Sequence, residues 1–181
     1  MLAVSDVIRN DRLAHLYSRV LERDSPTVEE LSEGIESSTT TVYEDVKHLV
    51  EIGLLERVTE TQPHSYRASH IDMTIRAGGE TFQITPTLLV ALAEHRSNEN
   101  LSLYLDRHGI SGLATALEYA RAYTQSEMNA RIMARDQDIP VLEAETILQE
   151  LQEIILETEP DIGTSPDIEA LDAAVDERLN E

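Results

Sequence analysis

Between Ser25 and Gly53 the chain carries punctuation that leaves little freedom for what lies between. Ser25-Pro26 breaks whatever precedes it, Thr27 with Glu30 three residues on forms a capping box, and Gly53 is a C-terminal helix stop. Val28, Leu31 and Ile35 give the first interval one apolar stripe. The string Glu36-Ser37-Ser38 makes a polar turn, after which Val42, Val46, Leu49 and Val50 mark another helix. Upstream, Leu13, Leu16, Tyr17, Val20 and Leu21 recur at helical spacing, so an amphipathic helix starting near Ser5 or Asp11 leads in. Downstream, residues 54–58 and 66–68 are two short strands around a polar tip, residues 59–65, that contains Pro63.

Helix, helix, turn, helix, hairpin is the winged-helix order. Residues 27–58, TVEELSEGIESSTTTVYEDVKHLVEIGLLERV, resemble the helix-turn-helix and first wing strand of winged-helix transcription regulators of the broad ArsR and MarR type. The resemblance rests on Leu31 and Ile35 in the support helix and on Thr40-Thr41-Val42-Tyr43 opening the recognition helix. Leu49 at the inner end and the Gly53-Leu54-Leu55 exit complete it. It implies a sequence-specific regulator that places residues 38–52 in the major groove of double-stranded DNA and offers residues 54–68 as a wing. In such a fold the third helix buries one face, here Val42, Val46 and Leu49, and presents the other to the groove. That other face holds Thr40, Tyr43, Glu44, Lys47 and His48, with Ser38 and Thr39 at the helix start. Hydroxyls and N–H groups at a helix N-terminus suit phosphate and base edges, Glu44 can accept from cytosine N4, and Lys47 suits phosphate. Arg57, His64 and Arg67 are the wing residues for the backbone or minor groove. Winged helices also serve as protein-interaction modules, and the net −6 of residues 25–68 opposes phosphate, so a scaffold without direct DNA readout is the alternative.

A second hairpin is well marked. A two-residue turn at Gly78-Gly79 pairs Ile75 with Phe82 and Met73 with Ile84 on a core face, and Arg76 with Thr81 and Thr74 with Gln83 on a wet one. Thr85-Pro86 then caps a helix over residues 88–95. Another runs from about residue 100 to His108 before Gly109, and Ser111 caps a third over residues 112–123. Ala134, Ile139, Ala144 and Ile147 fit either a second helix-turn-helix at residues 130–151 or an antiparallel helix pair, and the absence of a basic face favours packing or dimerisation. The helix from Val141 carries Leu142, Ile147, Leu148, Leu151, Ile154 and Ile155, a stripe wide enough to suggest a homodimer through the C-terminal helices. Residues 157–166 read as a linker. Ser165-Pro166 opens a terminal helix with Ile168, Leu171, Ala174, Val175 and Leu179 in phase. The expected class is mainly α with small β-hairpins (α+β): a winged helix over residues 1–70, a hairpin plus helical dimerisation or regulatory domain over 71–157, and a linker with terminal helix over 158–181.

Charge sets the solvent. The 181 residues hold 35 Asp and Glu against 14 Lys and Arg, a net −21, and 13 of the 14 bases are Arg, the exception being Lys47. The excess is spread through both halves. Such a chain repels itself unless counterions screen it, and the composition resembles that of proteins from salt-in halophiles, which implies a haloarchaeal cytoplasm. The absence of Cys excludes disulfides and thiolate zinc sites. His15, His48, His64, His70, His95 and His108 form no pair at ligand spacing, so neither metal nor cofactor is expected. No uncharged apolar run approaches the roughly 20 residues of a membrane span, no motif argues for an enzyme, and no residue names an effector. Stability should therefore rise with KCl. A melting temperature that stays flat between about 0.1 M and 2 M KCl, a range over which the Debye length falls from about 10 Å to below 3 Å, would remove the halophile inference.

Overall fold

The computed structural model describes residue 7 and residues 10–35, 37–77 and 80–163. The terminal helix expected from Ser165-Pro166, with Ile168, Leu171, Ala174, Val175 and Leu179, lies outside the described residues, as do Ser5 and the Gly78-Gly79 turn. The remainder is mostly helical with two small antiparallel hairpins, α+β as expected. It forms two compact units, Met1–Thr115 and Ala116–Glu181, and the second hairpin lies in the first of them.

In the first unit, α1 (Asp11–Leu21) begins at Asn10, whose side chain accepts from the Arg12 N–H. Thr27 caps α2 (Val28–Ser32) with the reciprocal Glu30 contact of a capping box, and those bonds from Thr27, backbone first, lower the Glu30 pKa. Helix α3 (Thr39–Glu51) starts at Ser38 and ends where Gly53, at φ +80°, takes the left-handed conformation that a side chain would resist. Strands β1 (Leu55–Arg57) and β2 (Tyr66–Ala68) pair Leu55 with Ala68 and Arg57 with Tyr66. A bridge from Thr27 to Ser65 and the Tyr66 N–H bond to the Pro26 carbonyl (3.0 Å) tie the wing to the entry of α2.

Helix α1 is the hub. Its Leu13, Ala14, Leu16, Tyr17 and Val20 are buried, and it packs on α2, α3, β2 and α4 (Pro86–Glu94), a helix buried at Leu88 through Ala93. The Tyr17 hydroxyl donates to the Ser69 carbonyl (3.0 Å), and burial pushes its pKa up to about 12. Arg12 reaches from α1 to Asp45 of α3 in a fork, Nε to Oδ2 at 2.6 Å and Nη2 to Oδ1 at 3.0 Å.

Strands β3 (Met73–Ala77) and β4 (Glu80–Ile84) adopt the expected register, Met73 opposite Ile84, Ile75 opposite Phe82, Thr74 opposite Gln83 and Arg76 opposite Thr81. Their apolar face is only partly core: Ile84 is fully buried, Phe82 is half-buried and Met73 is exposed. Asn98 accepts from the Asn100 and Leu101 N–H groups at the start of α5 (Glu99–Thr124). The stop expected at Gly109 is present: at φ +67° and ψ −174° the backbone there is not helical, so α5 consists of two helical segments that meet at a kink.

In the second unit, Asn129 caps α6 (Ala130–Gln137), and α7 (Val141–Thr158) follows Pro140. Met133 and Ala134 of α6 and Ala144, Ile147, Leu148, Leu151, Ile154 and Ile155 of α7 are buried. Arg121 grips Glu159 in a fork, with Nη2 to Oε1 at 2.8 Å, and also meets Glu118. Most of the α7 stripe is thus covered within the chain. The apolar residues left exposed on α7 are Val141, Leu142 (74%) and Leu156, and Glu145, Gln149 and Glu153 share the surface between the two leucines.

Arg12→Ala should destabilise the protein by about 1–3 kcal/mol, because it strands a buried carboxylate. Asp45→Ala should cost less, since the half-exposed guanidinium can solvate on its own. Denaturant titration of both variants and of the double mutant would check this: the two losses should not add, and additive losses would mean that the fork contributes nothing.

Candidate nucleic-acid interface

The outer face of α3 is set by what the helix buries. Val42, Val46 and Leu49 are each 2% exposed or less, which turns Thr39, Thr40, Tyr43, Glu44 and Lys47 outward, and Tyr43 is 53% exposed. Asp45, an acid on the same helix, is 8% exposed and faces α1, where Arg12 neutralises it. One of the charges that most opposed a phosphate partner is therefore withdrawn from the surface.

A groove of about 610 Å³ runs between the start of α3 and the wing, with Thr39, Thr40 and Tyr43 on one wall and Gln62, His64 and Tyr66 on the other. Burial raises the Tyr66 phenol above its ordinary pKa, with the Tyr43 phenol close beside it. The wing tip is braced from within. The Thr59 hydroxyl accepts from the Ser65 N–H (2.9 Å), and His64 Nδ1 lies 3.1 Å from the Thr59 carbonyl. A carbonyl only accepts, so Nδ1 carries the proton in that bond, and Nε2 is the ring atom left for a ligand.

Of the expected residues, Thr39, Thr40, Tyr43 and His64 come together on this groove. Ser38 does not contribute freely: its hydroxyl accepts from the Thr41 N–H (3.2 Å) and bonds the Thr41 hydroxyl (2.9 Å), so it serves the helix end. Lys47 and Glu44 stand on the exposed face beyond the groove. Lys47 lies 3.7 Å from Glu51, a solvent-exposed pair of small worth that a phosphate can displace. The wing arginines diverge. Arg57 shares the Tyr66 face of the hairpin and lies 3.9 Å from Glu60, whereas Arg67 projects from the opposite face across from Glu56. Gln62, in the wing loop, and Glu29, in the first turn of α2, also line the groove, and the sequence pattern singles out neither.

Residues 11–72 match the family model described as sugar-specific transcriptional regulator TrmB. Residues 95–160 match a family of unknown function, DUF7437. No curated protein and no solved structure matches the chain. The match over residues 11–72 is to a transcription-regulator family, as the resemblance of residues 27–58 to the broad ArsR and MarR type implies, although the family matched is a different one. Among the described residues no helix is long and apolar enough to cross a membrane, and no three His, Asp or Glu side chains cluster where they could hold a metal.

Because Ser38 caps α3, Ser38→Ala should lower stability by about 0.5–2 kcal/mol. Thr39→Ala, one residue inside the helix and exposed, should leave the denaturation midpoint nearly unchanged, and equal losses for the two would contradict the assignment of the cap.

Proposed function

We propose that the chain is a sequence-specific DNA-binding transcriptional regulator of a halophilic archaeon, acting in the cytoplasm and without catalysis. Helix α3 enters the major groove, with Thr40 and Tyr43 at base edges and Lys47 on phosphate, and the β1–β2 wing follows the flanking backbone or minor groove. The observation that carries this reading is the exposed Thr39, Thr40 and Tyr43 face beside the wing groove, with Asp45 turned inward to Arg12. The match of residues 11–72 to a transcription-regulator family supports it. Arg57 and His64 serve the wing, while Arg67, on the other hairpin face, requires DNA that wraps around it. In molar salt the gain from counterion release is small, so hydroxyl and aromatic contacts must supply more of the affinity than lysine and arginine do.

Presentation of two half-sites about 34 Å apart calls for a dimer. We place that contact in the C-terminal helices, where Val141, Leu142 and Leu156 are the exposed apolar residues of α7. Light scattering of the full chain in molar KCl should give twice the mass of one chain, and a single-chain mass would reject the dimer.

Mobility shifts with the upstream region of its own gene, run in molar KCl, test the DNA reading. Lys47→Ala should weaken all sequences alike. Thr40→Ala and Tyr43→Ala should cost about 1–3 kcal/mol at the preferred site and little elsewhere. Unaltered binding in all three variants would overturn the recognition-helix assignment, and no shift at any salt concentration would favour a protein-interaction module.

A further inference from the structure

In a chain of net charge −21, one cavity of the first unit brings two arginines to the same lining. It measures about 560 Å³ and lies between the first turns of α1 (Arg12, His15), the α2–α3 turn (Gly34, Ser37) and Arg96 beyond α4. Arg96 is exposed, and no ion pair or hydrogen bond to a described residue engages it. Arg12 spends Nε and Nη2 on Asp45, which leaves Nη1 without a partner among the described residues. Asp11, the carboxylate of the lining among the described residues, lies 3.7 Å from His95 Nε2. The His15 ring reports the local field: burial first, then Arg19 and Arg96, hold its pKa below the ordinary value, against the opposite pull of Glu22.

We propose that this cavity binds a small soluble phosphate monoester through Arg12 Nη1, Arg96 and the Ser37 hydroxyl. Donors on three separate elements can each meet one of the three terminal oxygens of a phosphate group, whose greater charge also pairs with guanidinium more strongly than a single carboxylate does. The volume falls in the range of small-molecule pockets, about 300–1,000 Å³. A DNA phosphate fits less well. Asp45, which Arg12 holds, lies on the side of α3 opposite Tyr43 and Lys47, so the cavity opens away from the face that reads DNA. A ligand that recruits Arg12 also acts on the side chain that fixes α3, which gives it a short route to the recognition helix.

The test uses the full chain, nitrogen-15 labelled, with inorganic phosphate and glycerol 3-phosphate titrated at constant ionic strength against KCl. The arginine Nε–H signals are followed by NMR. A saturable shift of the Arg12 signal is expected, with the midpoint raised at least tenfold in Arg96→Ala and unchanged in Arg131→Ala, an exposed arginine of the second unit. Arg96 is at the surface, so its variant should melt with the parent, and a circular dichroism melt verifies that. A linear drift equal to that produced by chloride would overturn the proposal, as would the same saturation in Arg96→Ala. Loss of DNA affinity alike for all sequences in Arg96→Ala, with no phosphate titration, would make the cavity a backbone contact and also overturn it. The NMR readout needs no DNA, so its failure and that of the regulator reading are distinguishable.

Discussion

Burial of α1 on several sides is the constraint from which the first unit is organised. A helix of 11 residues with Leu13, Leu16, Tyr17 and Val20 withdrawn from water has to be covered by more than one neighbour. It is met by α2 and α3, by β2 of the wing, and by α4. The short elements around it gain little from their own propensity: α2 has five residues and each wing strand three. They are fixed where they touch α1, at their caps and through bonds such as that from Tyr17 to Ser69. The groove beside α3 has its shape because both of its walls rest, directly or through β2, on this one helix.

Charge obeys the same frame. Glu44 and Asp45 are neighbours in sequence and look equally hostile to an anionic partner, yet a rotation of about 100° along α3 sends one to solvent and the other to a guanidinium. In a protein with 35 carboxylates, the position of each acid matters more than their number. Arginine outnumbers lysine in this chain, and here it is used as a fork, in Arg12 with Asp45 and Arg121 with Glu159, a geometry that an ammonium cannot reproduce.

Local signals were legible in the sequence. The capping box at Thr27 and Glu30, the stop at Gly53, the Pro86 start of α4 and the full register of the second hairpin all follow from residues close together in the chain. What depends on distant partners was not. Arg12 and Asp45 are 33 positions apart, and no period links them. Ser38 suits a helix cap and a DNA contact alike by residue type, and its bonds to Thr41 are what reveal the cap. The stripe on α7 looked too wide for one chain because the sequence does not reveal how much of it α6 and the turn at Pro160–Gly163 cover. Met73, in phase with the core, is left outside at the hairpin's open end.

Lys47 stands alone in another sense. It supplies the chain's one side-chain amine, exposed on the outer face of α3 with a carboxylate at 3.7 Å as its near neighbour. Reagents that acylate or alkylate primary amines therefore meet a single lysine, and that lysine sits on the helix the fold offers to a partner. Apart from the chain's α-amine, a fluorophore, spin label or crosslinker introduced by ordinary amine chemistry lands on α3, without an engineered cysteine and without modification of the core.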